Sequence, residues 1–433
     1  MLTTEFYKNS FWLPKPSSEG GAIELSEKEV RDMFSNTSQE NVTAKKLKGD
    51  VNKARNQNNG IIPLKKFYNA NKDFLDTQVG GSVINMPYGK NCLTIDSKRF
   101  LYRGENKNYK SSLPSLNRLF DDKMDEKEKE IIRVIEYLRI FRFGQMLQKI
   151  KIVQLWKKKF GDINLEALAQ HYGFPTHLLD LTNDLRTAIF FATCKYDSCS
   201  DSFSVLTQQD IDRDEDSKYG YIFQAQQWTT EFFNKGFLDK ELNKSFYYKN
   251  LDKDFEDKKY YLQSGELDGV AFQIGYQPLL RCSYQSGYIY PMRKQEPLQK
   301  NGHFRIMKFK QSVKLSKWVY EKMDGGKKVF PNEGISKLND YINEIKKTTT
   351  FSYEELENVY NDFGVDKKIF PNIACLKVSL NDYQKSEDKY SIQDETINLD
   401  ISQELLDLVN NYYEEINEFN NIGEIYYPNH NQK

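Results

Sequence analysis

The stretch Leu168-Ala169-Gln170-His171-Tyr172-Gly173-Phe174-Pro175-Thr176-His177-Leu178-Leu179-Asp180-Leu181-Thr182 decides how this chain is read. Upstream, Asn164 can cap a helix through Leu165 and Leu168 that stops at Gly173, because Pro175 cannot continue it. Residues 178–182 form a short apolar, strand-like segment, and Asn183 can cap a second helix with Leu185, Ile189 and Ala192 on one face. Four polar or titratable side chains, Gln170, His171, Thr176 and Asp180, are thereby crowded into a Gly/Pro turn that two apolar helices hold rigid and partly out of water. Two readings stay open from these residues: a polar site, or His171 and Asp180 satisfying backbone groups of the turn.

A second unusual segment lies upstream. In Leu101-Tyr102-Arg103-Gly104-Glu105 a strand-like entry delivers an Arg next to a Gly. The Gly lets another group approach the backbone, and the guanidinium can fork onto a phosphate or carboxylate. A surface salt bridge at a strand end fits the same residues.

The surroundings indicate an α+β fold, with a mixed or antiparallel sheet at its core and helical flanking regions. Residues 219–225, 270–274, 282–290 and 304–309 read as strands. Residues 121–160 read as helix, acids first and bases later as the helix dipole favours. Within it, 131–160 carries eight Arg/Lys against one Glu, a local charge of +7, which reads as a solvated face. Residues 201–217 hold six acids and one Arg, a charge of −5, and read as an exposed loop. Late helices are expected over 334–347, after the capping box Ser352 to Glu355 and up to Gly364, and over 400–416 with Leu405, Leu408, Val409, Tyr412 and Ile416 on one face. Residues 1–92 read as a leader region in which Ser26 to Glu29 is a capping box and 36–59 is polar. Strands grouped without βα alternation exclude a doubly wound sheet.

Composition narrows the function. With 62 Lys+Arg against 62 Asp+Glu the net charge is zero, so the chain does not coat nucleic acid by bulk electrostatics, and nucleic acid is not an expected partner. The 28 Phe and 28 Tyr supply apolar area for a core. A length of 433 residues suggests two or three units at roughly 150 residues each. No apolar run approaches the roughly 18 residues of a membrane span, and the N-terminus shows no secretion signal. Five cysteines at irregular spacing fit reduced thiols, hence a cytoplasmic location. There is no Gly-x-Gly-x-x-Gly and no P-loop. The four His include no pair at helical zinc spacing. Glu215 stands where a calcium loop opened by Asp210, Asp212 and Asp214 requires Gly, so no metal is expected.

Tyr102-Arg103-Gly104-Glu105, then 168–182 with Ala188-Ile189-Phe190-Phe191-Ala192, then Arg281 with Gln285-Ser286-Gly287 and Ile289 resemble the successive signatures of the bacterial FRG domain. Phe363-Gly364-Val365 leading to Ile369-Phe370-Pro371-Asn372 is similar to its closing elements. The resemblance spans about 93–380, with a helical insert over about 121–160 and a C-terminal helical extension over 381–433. Leu181 stands where the family usually has Trp, and Ser286 where it usually has a second Gln.

The resemblance implies more than the residues do alone. FRG domains occur in prophage-borne and defence-associated proteins, and their motif order resembles that of ADP-ribosyltransferase-like folds. By that analogy Arg103 anchors the phosphates or ribose of NAD, with Tyr102, Gly104, Gln170, Thr176 and Thr182 around the nucleotide. His171 and Asp180 polarise the site, and Gln285 occupies the place of a ribose-binding Glu. The implied activity is transfer or hydrolysis of the ADP-ribose of an NAD-like substrate, as a toxin or phage-defence effector. The alternative is a non-catalytic module that senses a nucleotide or phage component and binds a protein partner through its N- or C-terminal helical regions. Gln285 motivates it: a Gln can hold a ribose hydroxyl but can neither take a proton nor stabilise positive charge.

Overall fold

A computed structural model describes residues 21–35, 82–86, 90–94, 100–160, 163, 165–197, 200–226, 272–273, 278–285, 287–292, 297–301, 304–385, 388–397 and 399–415. The strands used below are β1 Ile23–Leu25, β2 Ser82–Met86, β3 Lys90–Thr94, β4 Phe100–Glu105, β5 Leu178–Thr182, β6 Cys194–Asp197, β7 Ser202–Val205, β8 Tyr219–Gln226, β9 Phe272–Gln273, β10 Gly287–Pro291 and β11 Arg305–Lys310. The helices are α1 Glu27–Ser35, α2 Glu126–Leu147, α3 Lys151–Phe160, α4 Leu165–His171, α5 Leu185–Thr193, α6 Gln208–Asp212, α7 Leu280–Tyr284, α8 Val313–Lys322, α9 Asn339–Lys347, α10 Tyr353–Asp362, α11 Ile373–Asp382 and α12 Gln403–Glu415.

The fold is α+β. Among the described residues nine strands form one mixed sheet in the order β1-β11-β8-β4-β5-β10-β9-β2-β3, of which β4 and β5 line the site. The register is uneven. β4 pairs with β8 through six residues and β5 with β10 through five, but β4 meets β5 at one position, Tyr102 opposite Thr182. Beyond that bridge the two strands diverge, and the site lies where they part.

Three apolar clusters hold the fold. Helices α1, α5 and α8 cover one face of the sheet through Val30, Ala188, Phe190, Ile222, Phe309 and Leu315. The other face is closed by Leu101, Leu179, Phe223, Tyr288, Leu298 and Phe304. The third cluster is helical and centres on α2, whose Val134, Leu138 and Phe143 pack with Leu168, Ile342, Leu356 and Val409. It continues through Leu380, Tyr390, Ile401 and Tyr413, so residues on both sides of position 380 share one core.

Local chemistry explains the boundaries. Both capping boxes form: Glu29 N–H donates to Ser26 Oγ at 3.3 Å while Ser26 N–H donates to Glu29 Oε2 at 2.8 Å, and Ser352 and Glu355 repeat the exchange. Gly104 is required sterically, because a Cβ there would lie 1.8 Å from the Ala188 carbonyl oxygen. The backbone it admits is helix α5 rather than a ligand. Gly173 takes φ +82°, the left-handed conformation that ends α4.

Several expectations are corrected. The cap of α5 is Asp184, not Asn183: its carboxylate accepts from Arg186 N–H, whereas Asn183 is buried and donates to the Tyr288 hydroxyl. Residues 282–290 are not one strand. Leu280–Tyr284 is helix α7, started by the buried Glu333 carboxylate accepting from Leu280 N–H at 2.9 Å, and only Gly287–Pro291 is strand. Of the strand expected over 270–274, Phe272–Gln273 forms, and the rest lies outside the described residues. The acidic segment 201–217 is ordered as β7, helix α6 with a Thr207/Asp210 capping box, and a short 3₁₀ turn, because Phe203, Leu206 and Ile211 anchor it between the acids. The expected helix over 121–160 breaks between Leu147 and Lys151; Lys149 and Lys151 are exposed, as a solvated face requires, but the arginines of α2 are not. Arg142 is buried and gives Nε to Glu355 at 2.7 Å, and Arg139 donates to the Thr348 carbonyl. In α12 the inward residues are Leu406, Val409 and Tyr413, while Leu408 is exposed. The Asn164 cap and Ile416 lie outside the described residues.

Candidate functional site

Where β4 and β5 diverge, a cavity of about 320 Å³ opens. Eight of the nine residues singled out in the sequence line it: Tyr102, Arg103 and Gly104 from β4, Gln170 and His171 from the end of α4, Asp180 and Thr182 from β5, and Gln285 after α7. The ninth, Thr176, stands behind them. Its hydroxyl donates to Gln170 Oε1 and accepts from Leu178 N–H, so it fixes Gln170 and the turn rather than facing the cavity.

Each polar group is held by identifiable partners. Arg103 donates Nε to Glu105 Oε1 at 2.8 Å and Nη1 to the Asp180 carbonyl at 3.1 Å. Glu105 is itself buried and takes the Ser112 hydroxyl on its other oxygen at 2.7 Å, so the guanidinium is fixed as a fork with Nη2 unused. The salt-bridge reading of Arg103 holds, with a buried rather than a surface partner, and Arg103 also lines the cavity. Thr182 donates its hydroxyl to the Gln285 carbonyl at 2.7 Å and accepts from Asp184 N–H at 3.0 Å, which ties β5 to α7 and α5.

His171 and Asp180 differ from these. His171 Nε2 and Asp180 Oδ1 lie 3.9 Å apart, too far for a hydrogen bond, and neither atom has a hydrogen-bond partner among the described residues. The His171 side chain is 3% exposed and that of Asp180 40%. Burial holds the His171 imidazole below its ordinary value, so it is neutral at pH 7, while Asp180 and the Gln285 side chain pull the other way. Unsatisfied buried polar atoms carry a free-energy cost, and both residues line the cavity, although these two atoms themselves are out of reach of water. The turn-satisfying alternative does not describe these two atoms.

Sequence reasoning missed the opposite wall. Phe191, Tyr196, Phe203 and Phe330 form an aromatic cluster, with Phe203 centred 5.1 Å from Tyr196 and 5.3 Å from Phe330. The hairpin of β6 and β7 supplies Tyr196 and Phe203. Behind this wall the buried Arg281 lies 3.9 Å from the Phe330 ring and 4.4 Å from the Tyr172 ring, donates to the His171 carbonyl at 3.0 Å and pairs with Asp201. Arg281 stood in a quoted motif without a role. Its surroundings make it the group that locks α4, α7 and the hairpin together. Sequence offers little signal for the wall, since its four aromatics come from α5, β6, β7 and residue 330 at no common spacing.

The FRG domain family model matches residues 98–201. The chain carries an FRG domain. The matched segment contains Tyr102, Arg103, Gly104, Gln170, His171, Asp180 and Thr182, and the cavity is completed by Gln285, Phe203 and Phe330 from beyond the matched residues. No curated protein and no solved structure matches the chain significantly. Among the described residues no cluster of His, Cys, Asp or Glu stands where it could hold a metal ion, and no helix is long and apolar enough to cross a membrane. Cys194, Cys282 and Cys375 are free thiols.

Proposed function

We propose that the FRG cavity binds an NAD-like nucleotide and transfers or hydrolyses its ADP-ribose, in keeping with the ADP-ribosyltransferase-like resemblance of the motif order. The observation that carries this reading is the convergence of Arg103, His171, Asp180 and Gln285 on one cavity, with His171 Nε2 and Asp180 Oδ1 unpartnered among the described residues. The aromatic wall suits a flat heterocycle such as nicotinamide. Arg103 takes a phosphate oxygen, and Gln285 lies within reach of the ribose.

Chemistry at this site follows from charge. When the bond between nicotinamide and ribose breaks, its electron pair leaves with the ring nitrogen and positive charge develops on the sugar, which the Asp180 carboxylate stabilises. An acceptor hydroxyl or water then bonds to the anomeric carbon and gives its proton to the neutral His171. A positioned base contributes about 10²–10⁴-fold, so these two residues replace what the uncharged Gln285 cannot supply. A toxin or phage-defence role rests on the resemblance alone, and growth arrest on induced expression is its test.

Incubating the purified protein with NAD and following nicotinamide release and ADP-ribosylated products tests the reading. Turnover by the wild type that is lost in Arg103→Ala is expected; no turnover, or equal turnover in the variant, removes the reading. The uncharged Gln285 favours a second reading, a sensor without catalysis. Thermal stabilisation by NAD or ADP-ribose without product formation would select it.

A further inference from the structure

Beside the aromatic chamber lies a second cavity of about 430 Å³, which shares Arg103, Gly104, Phe191, Tyr196 and Phe203 with the first. Its charge is unbalanced. Five cations line it, Arg103, Lys107, Arg118, Lys195 and Arg213, against the two acids Glu105 and Asp210. Both acids are engaged: Asp210 accepts from Lys195 at 2.8 Å and from Thr207, and Glu105 has each oxygen occupied, by Arg103 and by Ser112. Arg213 turns to Asp214 and Ser217. That leaves Arg118 and Lys107, which have no carboxylate within 4.0 Å among the described residues, together with Nη2 of Arg103.

The backbone under these groups is anchored. Arg118 sits on the 3₁₀ turn Asn117–Leu119, whose Asn117 is buried and donates to the Met292 carbonyl at 3.1 Å, and Leu116 N–H donates to the Thr176 carbonyl at 3.1 Å. Lys107 precedes Asn108, whose N–H reaches the Asp216 carbonyl at 2.9 Å. Arg118 and Lys107 without a paired carboxylate, beside the Arg103 guanidinium held by Glu105, fit an anion of more than one charge, and the planar fork of Arg matches phosphate oxygens. Partial loss of surrounding water, and after it the like charge of Arg103, holds the Arg118 guanidinium below its usual value, while Glu105 and Tyr109 pull the other way.

We propose that Arg118, with Arg103 and Lys107, forms a diphosphate subsite, so that the ligand spans both chambers with its ring on the aromatic wall and its phosphates here. This deepens the nucleotide reading and rests on it for the ring. The phosphate part is tested separately, by calorimetric titration of the full chain with inorganic pyrophosphate at low salt. Arg118 is exposed, so Arg118→Ala is expected to fold as the wild type does. It should bind pyrophosphate roughly tenfold or more weakly, with Arg118→Lys between the two. Absence of pyrophosphate binding by the wild type, or equal binding by Arg118→Ala, overturns the subsite. Arg118-dependent pyrophosphate binding without NAD turnover upholds it while the ADP-ribose reading falls. NAD turnover unaltered by Arg118→Ala does the reverse.

Discussion

In helix α2 the Arg142 guanidinium gives both Nε and Nη2 to the Glu355 carboxylate and Nη2 again to the Thr350 carbonyl, whereas Arg103 in β4 gives Nε to Glu105, Nη1 to a main-chain carbonyl, and keeps Nη2 for the cavity. Both are arginines near carboxylates in the interior. At Arg142, Nε and Nη2 end on protein acceptors and the ion pair is buried, with side-chain exposures of 5% and 2%, whereas the Arg103 side chain is 22% exposed. At Arg103, and across the cavity at His171 and Asp180, hydrogen-bonding capacity is left over. The difference separates a buried charge that holds the fold from cavity-lining groups that the proposed ligand would engage.

The most severe way to probe this contrast is Arg142→Ala. It strands the Glu355 carboxylate in the helical core, and a loss of about 3–5 kcal/mol in unfolding free energy is expected. Chemical denaturation measures it, and a loss well below 1 kcal/mol would remove the contrast from the α2 side. On the cavity side the expected effect moves from stability to rate. Asp180→Asn should leave the denaturation midpoint within the range of an ordinary surface change while lowering NAD turnover by roughly 100-fold. A large stability loss with turnover intact would mean that Asp180 belongs with Arg142. The smallest effect is a pH slope. Because burial puts the His171 pKa in the folded state below its unfolded value of about 6.5, the unfolded chain binds the proton first, so stability present above that pH declines as pH falls through it. Glu333, raised by burial, works in the opposite direction, so the readout is the difference between wild type and His171→Asn from pH 7.5 to 5.5. That difference should reach about 1 kcal/mol per pH unit at most, and parallel curves would show that His171 is not held neutral.

Much of the fold could be read where its cause is local. Ser26 with Glu29 and Ser352 with Glu355 sit three residues apart, so their capping boxes were visible, as was β5 between its two helices; that Arg103, Thr182 and Gln285 line one cavity is seen only in the fold. Misreadings occur where the deciding partner is remote. The bases of α2 looked solvated because Thr348 and Glu355 lie some 210 residues away. Residues 282–284 looked like strand because nothing nearby announces that Glu333 starts a helix at Leu280. The acids of 201–217 concealed the few apolar anchors that make it the aromatic side of the site. The cavity's polar floor was legible, and its aromatic wall was not.

The solitary pairing of Tyr102 with Thr182 makes the sheet two plates joined along a seam. On one side, β4 is laced to β8 along six residues; on the other, β5 is laced to β10 along five. A molecule that touches Arg103 on one plate and Asp180 on the other crosses that seam and acts as a rivet. Occupancy of the cavity would then be felt as stiffness across the whole sheet, out to strands that never touch the ligand.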